Sequence, residues 1–145
     1  MTNTNQKFLP LISESIRQNW DRPALSDHEG GTLYYKDFGR EIKKLHLLFE
    51  VLGVEKGDKI ALCGRNSANW AVTFFASLSY GAVVTTILHD FIGESIEAIV
   101  NHSESKVLFI EEFAWGKVNA DAIPNANTIF LINDFSIIRT ASAEL

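Results

Sequence analysis

The strongest constraint on the fold is an alternation of short apolar runs with helical segments in the second half of the chain. The apolar runs lie at residues 59–63, 82–88, 106–110 and 128–132. Helical patterns at residues 68–80 and 93–102 separate the first three of them. Strands that alternate with helices of this length predict βαβ units with right-handed crossovers. We therefore expect an α/β fold with a mainly parallel sheet flanked by helices.

The first half of the chain predicts elements that precede this sheet. Apolar residues recur every fourth position over residues 8–20, which indicates a short amphipathic helix. Residues 24–26 and 32–35 flank a Gly-rich turn and predict a β-hairpin. Residues 36–52 alternate apolar spacings of four and three and predict a longer helix, with Gly53 at its C-terminal end.

Composition limits the function classes. The chain has 145 residues, 46% of them hydrophobic, and a net charge of -5, which is typical of one globular domain. Its only dense basic patch is Arg40, Lys43 and Lys44 on the polar face of a helix, so we expect no nucleic-acid partner. The single cysteine, Cys63, cannot form an internal disulfide, and the first 20 residues lack a signal-peptide pattern. We expect a cytoplasmic protein.

Residues 66–88 carry no charge and are long enough to cross a bilayer. They also contain nine Asn, Ser, Thr and Gly residues, and a β-branched run follows Gly81. This pattern favours a buried helix followed by a buried strand over a transmembrane segment. Because the helix at residues 68–80 is apolar nearly all round, we expect it to be covered on more than one side.

The loop Gly64-Arg65-Asn66-Ser67 lies between a predicted strand and a predicted helix, where backbone amides can hold an anion. It lacks the lysine of a P-loop and the glycines of a dinucleotide fingerprint. We therefore favour a structural role in which Ser67 or Asn66 caps the helix. Cys63, at the end of a buried strand, is interpreted as a packing residue.

One set of residues suggests a metal-dependent phosphohydrolase: His46, the pair His89-Asp90, and Asp121 or Asp134. The pair ends a β-branched run, however, and His46 lies between core positions of a helix. We therefore favour structural roles for all of them and expect no metal site and no catalytic residue in the chain.

Four segments of the sequence are informative through their order along the chain, and they lie at residues 33–38, 53–61, 65–70 and 80–84. This order strongly resembles the N-terminal part of the adenylate-forming (AMP-binding) superfamily. The residues Ile87-Leu88-His89-Asp90-Phe91 and the later run Asn101-His102-Ser103-Glu104 look most like the bacterial long-chain fatty-acid CoA ligase branch. The resemblance implies the large N-terminal domain of the acyl-CoA synthetase-like fold.

The resemblance also implies a reaction. ATP and a fatty acid give an acyl-adenylate and pyrophosphate, and the thiol of CoA then takes the acyl group, with Mg²⁺ on the phosphates. The family's phosphate loop, its aromatic-Gly-x-Thr-Glu motif and its catalytic lysine have no match here. Residues 1–145 thus look like a truncated N-terminal portion of an AMP-binding domain, inactive alone, whose partner is the rest of its own polypeptide. No complete second domain and no cofactor on the fragment are expected.

Three further expectations follow from the resemblance. His89 and Asp90 would line the edge of the CoA channel, and the complete enzyme would contact a membrane peripherally. Tyr34 and Asp37 replace the Thr and Glu with which the family opens its long helix, so we expect a weakened capping box there. From the residues alone, a free-standing flavodoxin-like α/β binding or interaction module is the alternative function.

Overall fold

Helices cover both faces of a five-stranded sheet in the computed structural model, which describes residues 7–145. The first six residues of the predicted N-terminal domain portion lie outside the described residues. The helices are α1 (Phe8–Gln18), α2 (Tyr35–Val51), α3 (Ala68–Tyr80), α4 (Gly93–Ser103) and α5 (Glu112–Trp115). The strands are β1 (Pro23–Ser26), β2 (Thr32–Tyr34), β3 (Lys59–Cys63), β4 (Val83–Ile87), β5 (Val107–Ile110), β6 (Thr128–Leu131) and β7 (Ile137–Arg139). The predicted α/β class is confirmed.

The sheet has the strand order β4-β3-β5-β6-β7, with the first four strands parallel and β7 antiparallel to β6. Alternate side chains of a strand point to opposite faces. In β3, Ile60 and Leu62 enter the core beneath α2 and α3, whereas Ala61 and Cys63 enter the core beneath α4. Both faces are covered, which is why the strands are continuous apolar runs instead of alternating ones.

Helix α3 packs against both the sheet and α2. His46 of α2 lies with Nε2 3.0 Å from the carbonyl oxygen of Ala76 and 2.8 Å from the hydroxyl of Ser79. From α1, the ring of Phe8 stacks on Phe75 of α3, with 5.9 Å between centroids. The expectation that α3 is covered on more than one side is confirmed. In the part of the chain that the structure describes, no helix is long and apolar enough to cross a membrane.

The hairpin β1–β2 leads directly into α2. At the start of α2, the carboxylate of Asp37 accepts a hydrogen bond from the backbone N–H of Tyr34 at 3.0 Å, so this half of the capping box survives the substitutions. At the other end, Gly53 adopts a φ of 67°, the left-handed conformation that commonly terminates a helix. The predicted hairpin and helix are both confirmed.

Helix α5, strand β7 and a 3₁₀ turn at Ala120–Ala122 escaped prediction. Helix α5 is only four residues long, and β7 pairs with β6 through a tight connection in which Phe135 has a φ of 58°. The apolar residues Ile137 and Ile138, which followed no helical or alternating pattern, form this edge strand. Short elements of this kind are set by tertiary contacts, because three or four residues carry too little periodicity to recognise.

Candidate functional site

The strand order reverses between β3 and β5, because β4 lies on one side of β3 and β5 on the other. In open α/β sheets, ligands bind in the crevice outside the carboxyl ends of the strands at such a point. Here that edge carries residues 64–67, which follow β3, and Glu111, which follows β5. This edge of the sheet is the candidate functional site.

Side chains of the protein accept hydrogen bonds from two of the first-turn N–H groups of α3. The hydroxyl of Ser67 accepts a hydrogen bond from the N–H of Trp70 at 3.1 Å. The carboxylate of Asp27, from the β1–β2 turn, accepts one from the N–H of Ala68 at 2.7 Å. The prediction that Ser67 caps the helix is confirmed. These two donors are therefore not available to an anion, and Asp27 adds a negative charge beside them.

An ion pair between a buried carboxylate, Glu111, and an exposed guanidinium group, Arg65, joins the two loops of the site. Glu111 is 7% exposed, and one of its carboxylate oxygens accepts the backbone N–H of Arg65 at 2.9 Å. The side-chain Nε of Arg65 lies 3.2 Å from both carboxylate oxygens. The first backbone N–H of α5, that of Glu112, donates instead to the side-chain oxygen of Asn133 at 3.0 Å. Glu111 is thus free to hold Arg65, although it directly precedes α5.

Residues 64–67 separate two clefts. The polar cleft, about 500 Å³, lies toward the hairpin and is lined by Asp27, His28, Arg65, Asn66, Ser67, Asn69, Glu111, Ile132 and Asn133. The aromatic cleft, about 680 Å³, lies between α3 and the end of β4 and is lined by Gly64, Arg65, Asn66, Trp70, Phe74, Thr86, Ile87, Leu88 and His89. Both volumes are in the range of small-molecule sites. Arg65 and Asn66 line both clefts.

The aromatic cleft combines a flat apolar wall with basic side chains. The rings of Trp70 and Phe74 stack at 5.3 Å and 10° on one side. His89, one of the two residues predicted at a CoA channel, lies at the other side. Its neighbour Asp90 is exposed and is not part of the cleft lining. The structure therefore brings His89, and not Asp90, to this cleft.

The loop that carries His89 is held by Lys117, which follows α5. The ammonium group of Lys117 donates hydrogen bonds to the carbonyl oxygens of His89 at 2.7 Å and Phe91 at 2.6 Å. Gly93, at the start of α4, lies against the backbone of Lys117, where a Cβ atom would stand 1.9 Å from the carbonyl oxygen. The position of the loop is therefore fixed by close contact as well as by hydrogen bonds.

The four residues considered as metal ligands lie in different parts of the structure and have different partners. His46 joins α2 to α3, His89 lies at the aromatic cleft, Asp121 belongs to a 3₁₀ turn, and Asp134 lies in the β6–β7 connection. The pKa of Asp134 is lowered by hydrogen bonds from the hydroxyl and the backbone N–H of Ser136, so this carboxylate serves its own turn. Among residues 7–145, no three His, Cys, Asp or Glu side chains are grouped so that they could hold a metal ion.

Cys63 is fully buried beneath α4. Burial raises the pKa of its thiol to about 11. The group is therefore protonated at neutral pH, whereas the thiolate is the nucleophilic form. The interpretation of Cys63 as a packing residue is confirmed.

Sequence reasoning missed the roles of Asp27, Glu111 and Asn133. Glu111 did give a signal, since it is a charged residue directly after a four-residue apolar strand that is buried throughout. A carboxylate at that position lies at the binding edge of a parallel sheet. Asp27 and Asn133 gave none, because a polar residue in a turn is ordinary.

Comparison with known proteins decides the family. The model of the family described as AMP-binding enzyme matches residues 12–140. The chain belongs to this family. Among curated AMP-binding relatives, it is similar to a probable CoA ligase, CCL6, of Humulus lupulus, with 28% identity over 130 residues. It is also similar to long chain acyl-CoA synthetase 3 of Arabidopsis thaliana, with 34% identity over 79 residues.

The matches cover much of this chain and little of the relatives. They span 82% of this chain and 19% of the Humulus protein, and 54% of this chain and 12% of the Arabidopsis protein. The chain thus spans about a fifth or less of the length of these curated relatives.

Solved structures support the fold. The anthranilate CoA ligase AuaEII, in complex with anthranoyl-AMP, has a TM-score of 0.80 at 18% identity, over 88% of this chain and 25% of that protein. Coronafacic acid ligase from Pectobacterium brasiliense has a TM-score of 0.78 at 15% identity, over 89% of this chain and 26% of that ligase. The α/β architecture is that of the N-terminal domain of adenylate-forming ligases.

Proposed function

We propose that residues 1–145 are the N-terminal portion of an AMP-binding domain in a long-chain fatty-acid CoA ligase. The reaction of the whole enzyme is ATP plus fatty acid plus CoA to acyl-CoA, AMP and pyrophosphate. The observation that carries the proposal is the family match over residues 12–140. Within the proposal the enzyme is cytoplasmic and contacts membranes peripherally.

The long-chain class is the finer part of the proposal. It is supported by the similarity to the Arabidopsis protein and to the long-chain-fatty-acid CoA ligase FadD15 of Mycobacterium bovis, with 35% identity over 60 residues. The 4-coumarate CoA ligase CCL1 of Humulus lupulus is 35% identical over 82 residues, so the choice of acid needs a direct measurement.

The residues of the candidate site fit one of the three ligands implied by the family. Arg65 and His89 supply basic groups, and the Trp70–Phe74 wall supplies a flat apolar surface, which together suit the phosphates and the planar base of CoA. In the proposal, His89 lines the CoA channel and Asp90 lies at its outer rim. Among residues 7–145, no three His, Cys, Asp or Glu side chains are grouped to hold Mg²⁺, and the proposal assigns ATP and Mg²⁺ to the rest of the enzyme.

The test is thioester formation by the protein encoded by the whole gene. We expect that protein to form acyl-CoA from ATP, CoA and long-chain fatty acids, with lower kcat/KM for acetate and 4-coumarate. The 145-residue chain is the matched control and should form none. If the whole protein forms no thioester with any of these acids, or if the reading frame closes at Leu145, the enzyme proposal fails.

A flavodoxin-like binding module is the second candidate, because the order β4-β3-β5-β6 with the site at its switch point is also that of flavodoxin-like sheets. This candidate expects the 145-residue chain to bind a ligand by itself as a folded monomer or a defined dimer. Sedimentation of the purified 145-residue chain distinguishes the ligase fragment from the binding module. Aggregation through exposed apolar surface would contradict the binding module.

A further inference from the structure

The carboxylate of Glu111 is buried, which is unusual for a charged side chain. Removing a carboxylate from water is costly unless hydrogen bonds and an opposite charge compensate. Every hydrogen bond of this carboxylate within residues 7–145 comes from Arg65, one from the backbone and the others from Nε. Asn133 already caps α5, so Glu111 is not needed there. Its side chain serves the loop at residues 64–67.

The two kinds of hydrogen bond fix different parts of that loop. The bond to the backbone N–H of Arg65 sets the direction in which the chain leaves β3. The bonds to Nε set the orientation of the guanidinium group, whose terminal nitrogens donate to no other group among residues 7–145. Gly64, which begins the loop, lies beside the side chains of Ile132 and Glu111, to which an added Cβ atom would approach within 2.8 Å and 3.5 Å.

The loop is the common wall of the polar and aromatic clefts, and Arg65 reaches both of them. A change in its direction would alter the width of the aromatic cleft and turn the free guanidinium nitrogens away from it. Glu111 does not line the aromatic cleft itself. It acts on the cleft through residues 64–67, which form its wall.

We infer that Glu111 is a positioning residue for CoA: through Arg65 it holds residues 64–67 in the direction that shapes the aromatic cleft for this ligand. The inference rests on the proposed function. It assigns the effect to the hydrogen bonds accepted by Glu111, which engage the backbone N–H and Nε of Arg65 and leave its terminal guanidinium nitrogens to donate to the phosphates of CoA.

Two variants separate hydrogen bonding from charge. Glu111→Gln keeps an oxygen that accepts the Arg65 N–H and keeps the volume of the side chain. Glu111→Ala removes the acceptor. A matched control lies at the opposite edge of the sheet, where Asp58 likewise accepts a backbone N–H, that of Glu55 at 2.9 Å, and a basic group, the ammonium of Lys106 at 3.1 Å. Asp58→Ala therefore removes a similar pair of interactions at a residue that lines neither cleft.

The experiment uses the protein encoded by the whole gene and measures KM for CoA, ATP and fatty acid, kcat, the melting temperature, and CoA binding by calorimetry. For Glu111→Ala we expect KM and Kd for CoA to rise about tenfold, the effect of one charge-assisted hydrogen bond. We expect KM for ATP and kcat to change less than about threefold. Glu111→Gln should restore most of the CoA affinity. Asp58→Ala should lower the melting temperature and leave KM for CoA unchanged.

Three results are decisive. If Glu111→Ala lowers the melting temperature like Asp58→Ala and leaves CoA binding unchanged, the role of Glu111 is structural and the inference is overturned. If Glu111→Gln weakens CoA binding as much as Glu111→Ala, charge is responsible and the hydrogen-bond argument is overturned. If the wild type binds CoA in calorimetry but forms no thioester, the proposed function fails while the inference about Glu111 is still tested by binding.

Discussion

Substitution of Gly93 by alanine sets helix propensity against packing. Gly93 is the first residue of α4, and alanine is favoured over glycine within helices by up to about 1 kcal/mol. Local sequence alone therefore predicts that Gly93→Ala stabilises the protein. The contact with Lys117 predicts the opposite, because the added Cβ atom would lie 1.9 Å from the carbonyl oxygen and 2.8 Å from the carbonyl carbon.

The size of the effect follows from that distance. Contacts of a Cβ atom below 3.0 Å are essentially absent from real proteins, so α4 and the Lys117 backbone must separate by about 1 Å. Overpacking of this kind costs about 1–3 kcal/mol. The obstacle is backbone and not the end of a flexible side chain, which places the cost toward the upper part of that range. Separation also weakens the bonds from Lys117 to the loop of His89.

Urea unfolding followed by circular dichroism measures the difference. We expect Gly93→Ala to lower the free energy of unfolding by about 2–3 kcal/mol with an unchanged m-value. Gly31→Ala is the control, since a Cβ atom there has nothing within 4 Å and the residue has no positive φ, so its stability should stay within about 0.5 kcal/mol of the wild type. A Gly93→Ala protein as stable as the wild type would refute the packing argument.

Three further predictions concern the core and the amino edge of the sheet. Cys63 should not react with a thiol reagent at neutral pH in the native protein and should react fully in urea, because burial raises its pKa to about 11. The pKa of Asp58 is lowered by the Glu55 N–H and by Lys106, so its stabilisation is complete above pH 3.8 and is lost as the pH falls through the lower native value. Urea titrations should therefore show a stability gap of about 1 kcal/mol or less between wild type and Asp58→Asn at pH 7 that narrows below pH 3.8. Phe49→Ala should lower stability by about 3–5 kcal/mol in the same assay, because this ring is fully buried.

Periodic segments of the sequence predicted most of the fold. The predicted strand at residues 59–63 and helix at residues 68–80 coincide with β3 and α3, because an apolar run bounded by glycine and a helix with a Ser67 cap are local signals. The order of strands in the sheet could not be obtained in this way. The sequences of β4 and β6 do not indicate which of these strands lies beside β3, because the strand order depends on how the crossover connections pack.

The candidate site was less predictable than the fold, because it too depends on contacts between residues that are distant in the sequence. The predicted loop and His89 do lie at the two clefts, but the residues that hold the loop come from distant parts of the chain. Asp27 binds α3 across 41 positions, Glu111 binds Arg65 across 46, and Asn133 binds Glu112 across 21. None of these pairs has a spacing that a helix or a strand would produce.

These long-range bonds also explain why the edge of the sheet depends on the N-terminal hairpin. Asp27 lies in the turn between β1 and β2, yet it occupies the first-turn N–H of Ala68 at 2.7 Å and lines the polar cleft. Loss of its carboxylate would leave that N–H without its partner and remove the negative charge that now lies against the N-terminus of α3. The hairpin, which pairs with no strand of the main sheet, is therefore coupled to the wall that Glu111 and Arg65 hold from the other side.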